Sequence, residues 1–447
     1  MIYLKIFFTI LIVFVLKFLL FDNLKENTIN LAETIELNFK LFLINNAGLI
    51  YLDSFFIKVM LFFSKDPLLV KFYRKLNRKY GKWSYGEILT NTRNILVFCP
   101  DLSEKILEDS PFFFDAGLTK RNFFLKIMPN NLGISKCDIG QKTCPWKKRR
   151  VFNEKSLGFD EMTPFFKDIV DIVNNNFNNV PRNPNEWKLL SQTITSFIMT
   201  GDNKQETINY LDKFIYLGYK GKLTPEFKKE FYNYMDKCAK ECGDNNLLHY
   251  SKIFKNDKME IIHDQLPHWF APFCFMINFL IPNLLCILLN FKEIKNRIIK
   301  EINCDKFNIF SKKTYLHYCV IEHIRLFNTN NINIQRTCKT DMTYNGLKMK
   351  KGDQIFLLLS NILRNKNKFN KPDDYIPNRW EQLCPTKQNI VFGVGPQKCP
   401  SMNISPILYK AIIVKVFKTF KNIECKYPIL KNRTLFFINP YDIKLIS

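Results

Sequence analysis

Residues 392–401 read FGVGPQKCPS and place one cysteine in a short loop with two glycines and two prolines. Gly393 and Gly395 can adopt backbone conformations that are closed to other residues, and they let the main chain approach a flat ligand closely. The segment that follows, 404–420, is apolar on nearly every face and predicts a buried helix. We therefore expect Cys399 at a helix N-terminus, where backbone amides and the helix dipole stabilise a thiolate.

A single cysteine in such a loop admits several interpretations. An isolated cysteine is often only a small buried hydrophobic residue, and a cysteine nucleophile would need a positioned histidine. None of the five histidines lies in an evident partner motif. A phosphate-binding loop would need a third glycine and a Lys-Ser or Lys-Thr ending, which this stretch lacks. A stabilised, buried thiolate is what haem iron takes as its proximal ligand.

Other segments of the chain carry motifs that accompany this loop. They are WKKRR at 146–150, EHIR at 322–325, GLKMKKGDQ at 346–354 and YIPNRW at 375–380. In order and spacing, these segments and the cysteine loop resemble the signature motifs of the cytochrome P450 superfamily. The resemblance extends from about residue 75 to the C-terminus.

Helix-period segments dominate the chain from about residue 66, and the strand-like runs are short. The helical segments are 68–80, 103–109, 161–180, 186–200, 205–219, 225–241, 266–302 and 312–327, and the strand-like runs are 95–98, 346–349, 354–359 and 434–438. This pattern predicts a mainly α fold with small β-sheets. The resemblance implies the cytochrome P450 fold, a triangular prism of helices.

The resemblance also implies a cofactor, haem b (iron protoporphyrin IX), with Cys399 as the axial thiolate ligand of the iron and the catalytic residue. Trp146 and Arg150, four residues apart on a helix, would donate to one haem propionate, and Arg336 would be the partner of the second. The expected cofactor-binding residues are Trp146, Arg150, Arg336, Phe392, Gly393, Lys398 and Cys399. Without the resemblance, the sequence would indicate only that Trp146 is a surface aromatic residue and that Arg150 belongs to the basic run beside it.

A structural ion-pair network is expected around the E-x-x-R motif. Glu322 and Arg325 lie one helical turn apart on one face, and the resemblance implies that Arg379 completes the network. Such a network survives burial only when every member is paired. Removing one partner is therefore expected to prevent haem assembly.

The cysteine loop departs from the family pattern at two positions. The family usually places Arg or His two residues before the cysteine, in contact with a propionate, and this chain has Gln397 there, beside Lys398. Ser401 stands where the family usually has glycine. We expect the charge pairing of the propionate to be weaker or to move to Lys398.

The central helix departs further. Most family members carry A-G-x-D/E-T-T there, and the best match is 271–276, which puts Ala271, Pro272 and Cys274 on the oxygen side. No serine or threonine occurs in 265–291. The acid and threonine that help most members to deliver protons are therefore not matched.

Three prolines of the central helix, Pro267, Pro272 and Pro282, each remove an amide donor and predict a kinked or broken helix. His268 or an ordered water is a candidate proton source. The alternative for His268 is a histidine at a helix start that faces solvent.

The amino terminus predicts a membrane anchor. Residues 2–21 form an apolar run that is interrupted by Lys5 and Lys17, and about 20 such residues span a bilayer as a helix. A cleaved signal peptide is the alternative, but no A-x-A-like site follows. The predicted organisation is a transmembrane anchor at 1–22, a membrane-proximal connecting region at 23–65, and a cytochrome P450 catalytic domain at 66–447 with a cytosolic location.

The chain is basic, with 66 Lys and Arg against 41 Asp and Glu, a formal net charge of +25. The lysines are scattered, and no compact aromatic and basic element typical of nucleic-acid binding stands out. We therefore expect no nucleic-acid partner. The basic surface suits an acidic partner, and the resemblance implies a flavoprotein reductase that passes electrons from NADPH.

The resemblance implies a haem-thiolate monooxygenase that inserts one oxygen atom from O₂ into a lipophilic small molecule entering from the lipid bilayer. One alternative is an enzyme of the same fold that uses hydroperoxides, as an isomerase, dehydratase or peroxygenase. Another alternative is a haem-binding protein without turnover.

Overall fold

The structure is a computed structural model. It describes residues 29–30, 33–37, 70–86, 93–133, 145–158, 165–253, 260–327, 334–420, 423–425 and 443–445. The predicted anchor at 1–22, most of the connecting region at 23–65 and the strand-like run at 434–438 lie outside the described residues.

The chain divides into two compact units. One comprises Met1–Ile106 and Asn330–Asn365, and the other comprises Leu107–Thr329 and Lys366–Ser447. The second unit contains the cysteine loop and the E-x-x-R motif, whereas Arg336 belongs to the first unit.

The first unit contains a mixed β-sheet. Its strands follow the order Trp83–Gly86, Asn94–Val97, Gln354–Leu357 and Ile334–Cys338. The pairing of Asn94–Val97 with Gln354–Leu357 is parallel, and the other two pairings are antiparallel. Both strands of the parallel pair are buried along their whole length, as the centre of a covered sheet requires.

Other elements of the first unit are short. The helices Val70–Tyr80 and Leu359–Ile362 belong to it, and Pro100–Glu108 begins in it. A hairpin pairs Met342–Tyr344 with Leu347–Met349. Its turn is Asn345-Gly346, and both residues have positive φ, +51° and +81°. Asparagine and glycine tolerate this left-handed conformation, which matches the twist of the paired strands.

The second unit is built mainly from helices. Its α-helices are Leu118–Ile127, Pro145–Ser156, Phe165–Asn176, Pro184–Thr200, Gln205–Tyr219, Pro225–Glu241, Leu247–Ile253, Glu260–Phe275, Ile281–Asn290, Lys292–Ile302, Tyr315–Phe327, Pro385–Gln388 and Ile404–Thr419. It also contains the 3-10 helices Pro377–Trp380 and Asn389–Phe392 and the strands Phe114–Ala116, Ile423–Cys425 and Ile443–Leu445. The prediction of a mainly α fold with small sheets is confirmed.

Local sequence signals define the ends of the helix Pro184–Thr200. The Asn183 side chain accepts hydrogen bonds from the backbone N–H groups of Asn185 and Glu186, and Pro184 occupies the first turn, where no amide donor is needed. Gly201 ends the helix with a left-handed φ of +80°.

The central helix differs from its prediction in both continuity and length. The predicted single helix at 266–302 ends instead at Asn290, and Phe291 separates it from Lys292–Ile302. The expected kink or break is a π-helical segment, Met276–Leu280, between Glu260–Phe275 and Ile281–Asn290. A π segment accommodates an altered hydrogen-bond pattern without ending the helix.

Among the described residues, one helix, Ile262–Asn290, is long and apolar enough to cross a membrane by length and composition. Most of it is buried within the protein. The core helix of a soluble protein has the same character, so this helix is weak support for a membrane span.

Candidate functional site

The cysteine loop is closed by backbone hydrogen bonds and shaped by its glycines. The Cys399 N–H donates to the Phe392 carbonyl at 2.8 Å, and Gly393 and Gly395 have φ of +98° and +75°. A Cβ on Gly395 would overlap the Leu107 carbonyl oxygen and lie 2.7 Å from the Glu108 Cα. Gly395 is therefore required both by its backbone conformation and by close packing.

The predicted position of Cys399 at a helix N-terminus is wrong. The buried helix Ile404–Thr419 begins five residues after the cysteine, because Pro400 and a turn at 401–403 intervene. The Cys399 thiol is half-buried, packs against the core of the second unit and lies 3.1 Å from the Ser401 hydroxyl oxygen. The Ser401 hydroxyl, and not a first helical turn, is the polar group beside this sulfur.

The helix Pro145–Ser156 brings Arg150 to the cysteine loop. The buried Arg150 guanidinium donates through Nη1 to the Lys398 carbonyl and through Nε to Glu154 at 2.6 Å. Trp146 is buried one turn earlier and packs against Leu132. The structure thus places Arg150 next to the residue that precedes Cys399, and the contact of Trp146 and Arg150 with a propionate stays a prediction.

Arg336 and the aromatic residue of the loop occupy different units. Arg336 lies on the strand Ile334–Cys338 of the first unit, where burial lowers its pKa to about 10. Phe392 is buried in the core of the second unit. The contact of Arg336 with the second propionate stays a prediction.

The structure brings the three residues of the ion-pair network together. The fully buried Glu322 carboxylate accepts Nε and Nη2 of Arg325, both at 2.8 Å, and Nε of Arg379 at 3.0 Å. It also accepts the indole N–H of Trp380 at 2.9 Å and the backbone N–H of Ile376 at 2.9 Å. Five donors therefore converge on one carboxylate, which is the full pairing that a buried charge requires.

Both arginines use their remaining donors on one stretch of backbone. Arg325 donates to the carbonyls of Pro372 (2.6 Å) and Asp374 (3.1 Å). Arg379 donates to the carbonyls of Asn370 (2.7 Å) and Lys371 (3.1 Å). The network therefore ties the helix Tyr315–Phe327 to the segment 370–380, which leads into the cysteine loop.

The expected oxygen-side residues of the central helix do not point in one direction. Pro272 is exposed and Ala271 is half-buried. The Cys274 sulfur lies 3.8 Å from the Ser191 carbonyl oxygen, on the helix Pro184–Thr200. Since neighbouring helical positions are about 100° apart, Pro272 faces away from Ala271 and Cys274, which lie about one turn apart.

His268 does not face solvent. Its ring is half-buried and lies 5.3 Å from the Phe124 ring, edge to face. Its Nδ1 has no hydrogen-bond partner among the described residues. His268 is therefore placed against an aromatic side chain, with one ring nitrogen available.

The π segment contains a polar residue that sequence reasoning missed. The Asn278 Oδ1 is buried and has no hydrogen-bond partner among the residues described. π segments occur frequently at functional sites, and a buried polar atom without a partner needs a physical explanation. A search for any polar side chain in the central helix, instead of only Ser, Thr and acids, would have found it.

A second group that sequence reasoning missed is a polar network at the start of the central helix. Asp264 accepts the Asn130 N–H at 2.8 Å, and Gln265 accepts the Leu132 N–H at 3.2 Å. The Gln265 Oε1 also accepts the Asn153 amide at 3.2 Å. This network ties the turn that carries Leu132 to the central helix, and Leu132 in turn packs against Trp146.

The residues of the cysteine loop fit a planar anionic cofactor with an axial sulfur ligand. The loop presents one half-buried thiol, and two of its positions lack a Cβ. The Gln397 Nε2 is buried without a partner among the described residues and can donate to a carboxylate. Gln397 stands where the resemblance predicts a propionate-binding cation, and the contact of its amide with a propionate stays a prediction.

Comparisons with known proteins agree with these motifs. The sequence model of the family described as "Cytochrome P450" matches residues 283–446. Cytochrome P450 3A5 of Homo sapiens is 24% identical over 144 residues, 30% of this chain and 28% of its own length. The corresponding values for the probable cytochrome P450 4ac3 of Drosophila melanogaster are 28% identity over 140 residues, with 29% and 27% of the two chains covered.

A bacterial relative also matches. The epothilone C/D epoxidase of Sorangium cellulosum is 28% identical over 105 residues, 24% of each chain. The chain thus spans about a quarter of the length of these curated relatives. The matched region, residues 283–446, contains both Glu322 and Cys399, and this part of the chain is similar to the cytochrome P450 superfamily.

Proposed function

We propose that the protein is a haem-thiolate monooxygenase that inserts one oxygen atom from O₂ into a lipophilic small molecule, with electrons from a separate reductase. The observation that carries the proposal is the geometry of the cysteine loop. Cys399 is a half-buried thiol held by a hydrogen bond of its own backbone to Phe392, in a loop with two left-handed glycines. Haem, when bound, supplies oxygen activation at its iron.

The residues around the loop have different roles in binding the cofactor. Cys399 supplies the sulfur ligand, and the Ser401 hydroxyl at 3.1 Å donates to that sulfur and moderates its charge. Arg150, Lys398 and Gln397 supply the donors for the anionic edge of the cofactor. The network centred on Glu322 orients the chain that leads into the loop.

The surroundings of the proposed site suit a lipophilic substrate. The second unit contains a continuous apolar core that reaches the cysteine loop and the central helix. The net charge of +25 suits an acidic electron-donating protein such as an NADPH-dependent flavoprotein reductase. We include in the proposal an N-terminal anchor at 1–22 that holds a cytosolic catalytic domain at the bilayer.

A second candidate function is an enzyme of the same fold that uses hydroperoxides, as an isomerase, dehydratase or peroxygenase. The observation that favours it is the central helix, which has no Ser or Thr in 265–291. A hydroperoxide substrate already contains the activated O–O bond, so the proton delivery that an acid and a threonine support is not needed. Asn278, in the π segment, is then the polar group available to orient the substrate.

The first experiment tests thiolate ligation. The reduced, carbon-monoxide-bound absorption spectrum of the purified protein should show the red-shifted Soret band of a thiolate ligand. Cys399→Ser should abolish that band. Cys384→Ser, which alters an exposed thiol, should leave it unchanged. A normal band in Cys399→Ser would sink the assignment of the ligand.

The second experiment separates the candidate functions. A panel of lipophilic substrates is incubated either with NADPH and a reductase or with the corresponding hydroperoxides. Product with the reductase supports monooxygenation. Product from hydroperoxides alone establishes the second candidate. A normal spectrum without product in either arm identifies a haem-binding protein without turnover.

A further inference from the structure

A small cavity in the second unit is lined by two lysines and a histidine. It lies between the start of the helix Tyr315–Phe327 and the first half of Ile404–Thr419. Its volume is about 10 Å³. The lining residues are Phe310, Lys312, His317, Met402, Asn403, Pro406, Ile407 and Lys410. We call it the lysine cavity.

The two lysines bring more hydrogen-bond donors than the cavity has acceptors. Lys410 is 1% exposed, and its Nζ donates to the Ser311 carbonyl at 3.0 Å. Lys312 is half-buried, and its Nζ donates to the Asn403 Oδ1 at 2.6 Å. An ammonium group has three N–H donors, so each lysine retains donors beyond these bonds.

No acidic residue is among the described residues that line the lysine cavity. Glu301 acts on Lys410 electrostatically. Its two carboxylate oxygens, however, accept the backbone N–H groups of Tyr315 at 2.6 Å and Leu316 at 2.9 Å. Burial, with the neighbouring Lys312 as a smaller cause, lowers the pKa of Lys410 to about 7. The lysine cavity is therefore a buried site with two amine groups and no carboxylate on its walls.

His317 contributes an acceptor to the same cavity. Its Nε2 lies 3.1 Å from the Gln388 Oε1. The Gln388 amide nitrogen donates to the carbonyls of Trp380 and Leu383, so the Oε1 is the acceptor and His317 carries its proton on Nε2. The Nδ1 of His317 is then a lone-pair acceptor. This side chain is 3% exposed, and its Nδ1 has no partner among the described residues.

We propose that the lysine cavity binds a small monovalent oxyanion that carries one proton, for which hydrogencarbonate is the representative. Two of its oxygens accept hydrogen bonds from Lys312 and Lys410, and its hydroxyl donates to the Nδ1 of His317. The anion supplies the counter-charge that the walls lack and satisfies the unpaired acceptor. This site lies outside the haem assignment and does not depend on it.

The size of the lysine cavity limits the ligand. A volume of about 10 Å³ holds roughly one water-sized group. The flexible stem of the half-buried Lys312 is the wall that can yield to a planar ion of four heavy atoms. Hydrogencarbonate therefore enters only when Lys312 moves outward, and phosphate esters and larger carboxylates would need a larger displacement still. A single water beside a neutral Lys410 is the competing occupant, and it predicts no response to any anion.

The test is a titration of the purified full-length protein with sodium hydrogencarbonate at constant pH and ionic strength, read as the midpoint of thermal unfolding. A ligand that binds only the native state raises this midpoint in a saturable way. Nitrate has the same charge and planar shape but no proton to donate. We expect a saturable rise with hydrogencarbonate and a weaker one with nitrate. Equal responses would overturn the role of His317, and no saturable response would overturn the site.

Matched variants locate the binding. Lys410→Met should weaken hydrogencarbonate binding about ten-fold or more, or about 1.4 kcal/mol. Lys418→Met removes the same charge from an exposed position of the same helix and should leave the binding unchanged. Lys312→Met, at the half-buried wall, provides a second variant if Lys410→Met does not fold. Equal affinity in all the variants would place the anion elsewhere and refute the proposal.

Discussion

Replacing Glu322 with glutamine tests whether the buried carboxylate holds the second unit together. The substitution keeps the size of the side chain and removes its charge. Each carboxylate oxygen of Glu322 accepts at least two donors. An amide has only one oxygen, so its NH₂ group must face donors at the other position. Even in the better orientation, the Nε of Arg325 and the indole N–H of Trp380 lose their acceptor.

The magnitude follows from the burial of the pair. The side chains of Glu322 and Arg325 are both 0% exposed, and that of Arg379 is 10% exposed. Removing one member of a buried ion pair costs about 3–5 kcal/mol, because an uncompensated charge remains in the interior. Domains are stable by only about 5–15 kcal/mol. We therefore expect Glu322→Gln to lose a large part of the free energy of unfolding and to retain little haem.

The assay is urea unfolding followed by circular dichroism, together with the haem content of the purified protein. Glu381→Gln is the control, because Glu381 pairs with Arg297 where both side chains are well exposed, 38% and 47%. Exposed pairs contribute about 0–1 kcal/mol, so the control should shift the midpoint little. If both variants lost the same small amount, the reasoning that burial makes Glu322 decisive would be refuted.

Two further predictions concern the cysteine loop and the response to acid. Gly395→Ala should destabilise the protein by more than the roughly 1–2 kcal/mol that a left-handed conformation costs a non-glycine residue, because its Cβ would overlap backbone atoms. The control is Gly221→Ala, at φ +64° with open space around it, which should lose only the energy of the left-handed conformation. Equal urea midpoints in the two variants would contradict the packing argument. Burial lowers the pKa of His323 to about 3, below the ordinary value of about 6.5. The unfolded chain thus binds the proton more readily, and the free energy of unfolding should fall by up to about 1.4 kcal/mol per pH unit as pH drops from about 6.5 towards 3. His323→Gln should flatten this slope relative to wild type. Parallel slopes in the two proteins would exclude His323 as a source.

The ends of several helices are predictable because the residues next to each end favour the start or the stop of a helix. The predicted helices 205–219 and 225–241 agree with Gln205–Tyr219 and Pro225–Glu241. The second begins with Thr224, whose hydroxyl accepts the Phe227 N–H, and with a proline in the first turn. Signals of this kind act over four residues and do not depend on the rest of the fold.

The central helix shows where periodicity fails. The helical spacing of its apolar residues continues into Lys292–Ile302 through Ile294, Ile298 and Ile302, so the pattern predicts one long helix. The structure ends it at Asn290, where Phe291 adopts an extended ψ of 86°. Because the apolar pattern is compatible with both arrangements, the packing of the surrounding helices decides between them.

The number of residues between Cys399 and the next helix also could not be predicted from the sequence. The apolar run from residue 404 predicted the helix, and the glycines predicted the loop. The turn at 401–403 between them is held by tertiary contacts. Asn403 donates to the Gly158 carbonyl at 2.9 Å and accepts a hydrogen bond from Lys312. Partners so distant in sequence leave no local pattern.

The sequence alone predicts the cysteine loop, the resemblance to the cytochrome P450 superfamily and the pairing of Glu322 with Arg325, since a spacing of three residues on a helix brings two side chains together wherever the helix lies. The tertiary structure alone decided that Trp380 and Ile376 also donate to that carboxylate. It alone decided that Lys312, His317 and Lys410 share a cavity. The physical reason is that these contacts join segments whose distance is set by packing of the whole unit, and no spacing along the chain encodes it.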